Sequence, residues 1–264
     1  MATGADTEGG VLAGKVVLVT GGAERVGRTL VEQLAAAGAM VAVNHLGQPD
    51  LADGTVATVV AAGGSAFAVE ADVSDPGQAG ALVDAVVERA GALDVLVHNA
   101  SNFVGGPFLE VSPEEFDRSF GVNLRGPFFL SQAAARVMVP RGSGRIIALG
   151  GDSWHESWPE YVAHSVAKSG LVRLMQVLAV TLSPEVQCIA VCPAKIMGTD
   201  DGANDSLYAG RGYRTADGLL EVGRDVRLRT GGADEVAELV VYLSHCSPYL
   251  TGTVVTLDGG KSAF

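Results

Sequence analysis

Short apolar runs recur along the chain, and between them the spacing of apolar residues changes. The runs are "KVVLVT" (15–20), "MVAVN" (40–44), "SAFAVEA" (65–71), "LDVLVHNA" (93–100), "GRIIALGG" (144–151), "VQCIAVC" (186–192) and "GTVVTLDGG" (252–260). They are rich in Val, Ile, Leu and Ala and continuous rather than alternating, as a strand buried on both faces requires. Between them, "ERVGRTLVEQLAAAG" (24–38) and "GQAGALVDAVVERAG" (77–91) repeat apolar residues at helical spacing and end at Gly, which suits a C-terminal cap. "SPEEFDRSFGVNLRGPFFLSQAAARVM" (112–138) opens with Ser112 as a cap and Pro113 in the first helical position. Long helices are expected over 113–139 and 159–182. Strands alternating with helices predict an α/β fold, a single doubly wound parallel sheet covered on both faces.

Composition narrows this picture. With 264 residues, 48% apolar and 18% charged, the chain can bury a sizeable core as one domain. Residues 1–12 are expected to form a disordered tail and 13–264 the domain. An irregular, polar, glycine-bearing insertion at about 199–230 follows a strand end, where open α/β sheets take their ligands, and is a candidate substrate lid. No apolar run approaches the ~20 residues of a membrane helix, and "MATGADTEGG" lacks the charge and apolar core of a signal peptide. A cytoplasmic protein with no membrane partner is expected. The net charge of −12 argues against a nucleic-acid partner, so a bound phosphate must be held by local geometry. Cys188, Cys192 and Cys246 sit in or beside apolar runs without paired spacing, and read as reduced core thiols with no metal site.

At the first strand-to-helix junction stands "TGGAERVG" (20–27). A glycine turn there lets backbone amides and a helix N-terminus approach a pyrophosphate, although Arg25 occupies the position where a second glycine is expected. "ADVSD" (71–75), "HNAS" (98–101), "NLRG" (123–126) and "CPAKIMGT" (192–199) follow. In this order and spacing the set resembles the short-chain dehydrogenase/reductase family, from Leu12 to about Asp258. The resemblance implies a Rossmann-type reductase domain, a small-molecule substrate and a homotetramer or homodimer. It also implies a dinucleotide site: Gly21, Arg25, Val26 and Gly27 at the diphosphate, and Asp72 and Val73 against the adenine. Asn99 and Ala100 would stand near the adenosine ribose, with Pro193, Ala194, Ile196 and Thr199 at the nicotinamide. At the end of the second strand, Asn44 and His45 replace the carboxylate that selects NAD, which favours NADPH over NADH; Glu24 opposes this, standing where NADP-preferring members often have a basic residue. "GAERVGR" and "NASNF" further resemble the pteridine-reductase branch. There Phe103 would stack on a planar substrate, with Ser101 and Arg25 offering polar contacts.

The family works with a Ser, a Tyr and a Lys four residues after the Tyr. Lys168 fits the lysine, where it would hold the nicotinamide ribose, and Asn123 fits the residue that supports it through water. His164 stands at the tyrosine position and Gly151 at the serine position, with Asp152 and Ser153 just beyond. Three readings stay open. His164 acts as general acid, giving a carbonyl reductase. Tyr161, on the same expected helix face, is the acid or lines the pocket. Or no strong acid is needed, because hydride addition to an iminium carbon neutralises an existing cation. The last reading gives an NADPH-dependent imine or iminium reductase. Its substrate would be planar or polycyclic, of secondary-metabolite type, with the iminium preformed or arising from a hemiaminal by loss of hydroxide, His164 or Asp152 assisting its departure. Asp152 would stabilise the cation, and Trp154 and Trp158 would supply flat walls. A non-redox relative, binding the cofactor or catalysing isomerisation or dehydration, is the remaining class.

Overall fold

The computed structural model describes residues 10–194, 196–197, 214–216, 219–221 and 227–263. All seven apolar runs form strands: β1 (Val16–Val19), β2 (Met40–His45), β3 (Ser65–Glu70), β4 (Val95–His98), β5 (Gly144–Leu149), β6 (Val186–Pro193) and, last in the chain, β12 (Val254–Leu257). They lie in one sheet, in the order β12-β6-β5-β4-β1-β2-β3, and every pair is parallel. The strand order reverses between β1 and β4. Their carboxyl ends therefore flank the crevice where open α/β sheets bind ligands.

Successive side chains of a strand point to opposite faces, and the core divides accordingly. Val17 and Val19 of β1 pack with Leu30, Val31 and Leu34 of α1 (Arg25–Ala36), Val59 of α2 (Pro49–Ala61) and Val240 of α7 (Ala233–His245). Val16 and Leu18 face the other layer. There they meet Leu82 and Val86 of α3 (Pro76–Ala90), Leu130 and Met138 of α5 (Gly126–Met138), and Leu171 and Met175 of α6 (Val162–Thr181). The three cysteines are free and buried, two of them in β6.

The expected helix over 113–139 is interrupted. Ser112 and Glu115 form the capping box that starts α4 (Pro113–Phe120), and Pro113 takes the first position. A π-helical turn, Gly121–Arg125, then separates α4 from α5. Such a turn rotates one residue out of helical register, and here it carries Asn123, which is fully buried. The other long helix begins at Val162, after a 3-10 turn over Pro159–Tyr161, so Tyr161 is outside the helix that holds His164 and Lys168. After β6, β7 (Ile196–Met197) pairs in parallel with β11 (Gly231–Gly232), and within the expected lid the described residues form short strands β8 (Arg214–Ala216), β9 (Leu219–Glu221) and β10 (Arg227–Arg229) in a small antiparallel sheet. The rest of that segment lies outside the described residues.

The domain begins earlier than its polar start implies. Leu12, assigned to the tail by sequence, is 1% exposed, joins the α1 side of the core, and donates its amide to Ala37 O. An isolated leucine after a glycine-rich polar stretch gives no periodic signal, so only the packed structure reveals its role. Leu12→Ala should lower the free energy of unfolding by about 2–5 kcal/mol, the range for truncating a buried leucine; urea denaturation measures it. A change below ~0.5 kcal/mol, typical of surface substitutions, would return residues 10–12 to the tail.

Candidate active site

Above the strand ends lies a cavity of about 440 Å³. One end is built by the glycine turn. Gly27 has no room for a side chain: a Cβ there would come 2.0 Å from Gly21 O and 2.7 Å from Asn99 Nδ2. The first turn of α1 is thus pressed against the loop, as close approach to a pyrophosphate demands. Arg25 carries φ 55, the left-handed conformation of the glycine it replaces, a strain of order 1–3 kcal/mol for a residue with a side chain. Glu24 stands at the N-cap but makes no side-chain cap hydrogen bond. The Glu24 side chain thus does not cover the N-terminus of α1, and the residues present fit a dinucleotide diphosphate.

Most cofactor positions expected from sequence line this cavity. Gly21, Arg25, Val26, Gly27, Asn44, His45, Asp72, Val73, Asn99, Ala100, Ser101, Pro193 and Ala194 all do. Asn44 has a second duty: its amide donates to Ala71 O at 3.0 Å and accepts from Gly21 N at 3.4 Å, tying three strand ends together. Asp72 accepts from Ser74 N and Oγ at 2.8 and 2.7 Å. The side chain of Ile196 and the whole of Thr199 lie outside the described residues.

At the other end, α6 delivers His164 and Lys168 one turn apart on its buried face. Lys168 Nζ donates to Leu149 O at 2.9 Å, and burial pulls its pKa down to about 8. His164 Nδ1 lies 2.9 Å from the carbonyl oxygen of Asn102. A carbonyl only accepts, so Nδ1 carries the hydrogen and Nε2 the lone pair. Burial, with the Lys168 charge second, lowers the His164 pKa to about 3, against the opposing effect of the Asn102 bond. The imidazole is neutral at ordinary pH and is no proton donor through Nε2.

The loop after β5 also departs from expectation. Gly151 adopts φ 77, a left-handed conformation that a serine would hold only with strain. Asp152, which lines the cavity, is 2% exposed and accepts from Lys261 Nζ at 2.8 Å, so its charge is offset by a lysine that sequence reasoning did not connect to it. Ser153 Oγ is buried with no hydrogen-bond partner among the described residues, and it sits 4.0 Å from where a Cβ on residue 151 would be.

The expected substrate positions divide. Phe103 and Trp158 line the cavity, whereas Trp154 and Tyr161 do not. Trp154 packs against the core, and the ring of Tyr161 covers Gly105, whose built Cβ would lie 2.5 Å from it. Phe103 stacks on His164 with centroids 4.3 Å apart. Asn123 stands behind the wall, accepting from Ser101 Oγ at 2.8 Å and donating to Asn102 Oδ1 at 2.7 Å. Asn102, Glu156 and Lys261 were missed by sequence reasoning. Asn102 acts through its backbone carbonyl, which no residue type encodes, and Lys261 lies 109 positions from Asp152.

The parallel sheet, its glycine turn at the switch point and the buried lysine beyond it define a dinucleotide-binding oxidoreductase. Comparison with known proteins gives the family. A family model described as Enoyl-(Acyl carrier protein) reductase matches residues 21–262. The chain is 33% identical to a 1-cyclohexenylcarbonyl-CoA reductase of Streptomyces collinus, over 94% of this chain and 87% of that protein. It is 34% identical to an L-rhamnose 1-dehydrogenase (NAD(P)(+)) of a Sphingomonas species, over 95% and 97%. A short-chain dehydrogenase from Burkholderia cenocepacia, solved in complex with NADP, superposes with a TM-score of 0.83 at 32% identity, covering 95% of this chain and 99% of that one. The chain belongs to the short-chain dehydrogenase/reductase family and is an oxidoreductase of that type.

Two buried histidines set a pH dependence. His164 and His98 both have pKa values lowered to about 3, chiefly by burial, against ~6.5 in an unfolded chain. Unfolding between those pH values takes up protons, so stability falls as pH drops below ~6.5, by up to about 1.4 kcal/mol per pH unit for each histidine. Urea unfolding from pH 7 to pH 5 should show this loss, and His164→Phe should remove its share. A His164 ring that titrates near pH 6.5 by NMR would contradict the assignment.

Proposed function

We propose that this enzyme reduces an imine or iminium carbon of a planar or polycyclic substrate, of secondary-metabolite type, with NADPH as the preferred donor. The observation that carries the reading is the Nδ1–H bond from His164 to Asn102 O. It fixes the ring so that the group at the acid position offers a lone pair. A developing alkoxide needs a donor there; a cationic carbon is instead favoured by the negative end of the imidazole dipole. The carbonyl-reductase reading loses its acid for the same reason.

Bound NADPH would supply the hydride. The chain's own residues then have three tasks. Lys168, anchored on Leu149 O, would hold the nicotinamide ribose. Phe103 and Trp158 wall a flat substrate, and the neutral His164 between them excludes water from the reacting carbon. On an iminium, or on an imine already protonated in solution, the hydride electron pair would form the new C–H bond while the C=N π pair returns to nitrogen, leaving a neutral amine. Where the iminium arises from a hemiaminal, the C–O bond would break with its electron pair, the hydroxide taking a proton from bulk water, and the net change is replacement of hydroxyl by hydrogen. Arg25 in its glycine-like conformation and Phe103 on the cavity wall support the pteridine-reductase-like branch. Exposed Phe116, Phe128, Val166 and Val180 on α4, α5 and α6 support assembly through those helices as a homotetramer or homodimer.

NADPH oxidation with N-methyl-3,4-dihydroisoquinolinium tests the reaction. His164→Phe should keep its rate within ~10-fold, whereas a general acid would cost at least ~10²-fold; a loss of that size, or no turnover by the wild type, rejects the reading. For the cofactor, Glu24 accepts from Gln48 Nε2 at 2.9 Å beside His45, at the adenosine end of the cavity. Glu24→Lys should tighten NADPH over NADH by about 10-fold, one charge-assisted contact's worth. Equal changes in both Kd values would place the 2′-phosphate elsewhere.

A further inference from the structure

Lys261 lies in a 3-10 turn, Lys261–Ala263, that Asp258 fixes by accepting from Gly260 N at 2.9 Å and Ser262 N at 2.6 Å. It does not line the cavity, yet it is 7% exposed and its ammonium lies 2.8 Å from both Asp152 Oδ2 and Glu156 Oε2. Burial works against that charge, but the two carboxylates outweigh it and hold the ammonium above its ordinary pKa. A buried ion cluster of this kind is weak evidence for stability. Its geometry shows what else it does. Glu156 Oε2 also accepts from Trp158 Nε1 at 3.3 Å, and the indole of Trp158 runs nearly parallel to the His164 ring, 20° apart at 6.2 Å. Asp152, Ser153 and Trp158 line the cavity on the same loop.

We infer that Lys261 is a positioning residue for the substrate wall. It gathers Asp152 and Glu156 onto one ammonium and, through Glu156, sets the Trp158 indole against His164. The turn of residues 261–263 thereby fixes a loop that starts at a left-handed glycine and has no strand or long helix of its own between Gly151 and Tyr161. The inference rests on the reading of this cavity as the substrate site, and Lys261 itself lies outside its lining.

Both tryptophans of the chain, Trp154 and Trp158, are in this loop, so emission reports on it without any substrate. In a Trp154→Phe background only Trp158 remains. Lys261→Met and Glu156→Gln should shift its emission to the red, as the indole is released towards water, while Lys261→Arg stays at the parent position. With the dihydroisoquinolinium salt, both disruptive variants should raise KM by about 10-fold, because a loosely held wall misplaces the substrate, with NADPH Kd, by fluorescence titration, within twofold of the parent. Unshifted emission in both variants overturns the proposal. So does a parallel rise in NADPH Kd in Glu156→Gln, which leaves Lys261–Asp152 intact and must not disturb the fold. If the wild type fails to turn over the salt, the iminium reading fails, and the emission measurement still judges Lys261.

Discussion

The amide of Asn99 donates from one nitrogen to two carbonyls, Thr20 O and Gly21 O, both at 2.9 Å. These are the groups at which β1 and β4 part. Parallel strands that diverge at a switch point leave their last peptides unpaired, and buried peptides must find partners. Thr20 returns the favour, its hydroxyl accepting from Asn99 N and Ala100 N at 3.0 Å. The knot closes the crevice floor and leaves room above it. It also fixes where the chain goes next: three residues on, the carbonyl of Asn102 meets His164. The cofactor cradle and the state of the imidazole therefore depend on one set of hydrogen bonds.

The electrostatics follow from burial. Around the reacting end, among the described residues, desolvation holds three titratable side chains neutral. Cys192 is a thiol with its pKa raised to about 12, and His98 and His164 are uncharged imidazoles. Lys168 keeps its proton at neutral pH, but one of its hydrogens is committed to Leu149 O. What remains at positions 164 and 168 is an imidazole nitrogen that accepts and an ammonium already tied to a carbonyl, whereas protonating an alkoxide calls for a donor.

The fold was largely legible because its signals are local. Seven continuous apolar runs became seven strands, and Ser112, Pro113 and Glu115 made the cap their types prescribe. The π turn at Gly121–Arg125 was not legible, since its helical periodicity is interrupted by a single residue of register. Most positions expected for a cofactor converge on one cavity because glycines and turn residues carry their geometry in their type. The substrate wall was not legible in this way, and it is there that Trp154, Tyr161 and Asp152 depart from expectation. Which way an aromatic ring turns, or which cation a carboxylate finds, is set by segments remote in sequence: Gly105 for Tyr161, Lys261 for Asp152.

Gly151 joins these strands of reasoning. A glycine at 151 could sit in a loop whose path any residue would allow. Its φ of 77 argues otherwise, because an L-residue there is strained and the whole loop has taken a path open chiefly to glycine. That path buries Asp152 and Ser153 and brings Asp152 to Lys261. A serine at 151 would therefore be strained, since the backbone would have to leave its left-handed conformation and disturb the Asp152–Lys261 pair. The neutrality of the ring at 164 follows from its burial, and the loop tied to Lys261 brings Trp158 against that ring.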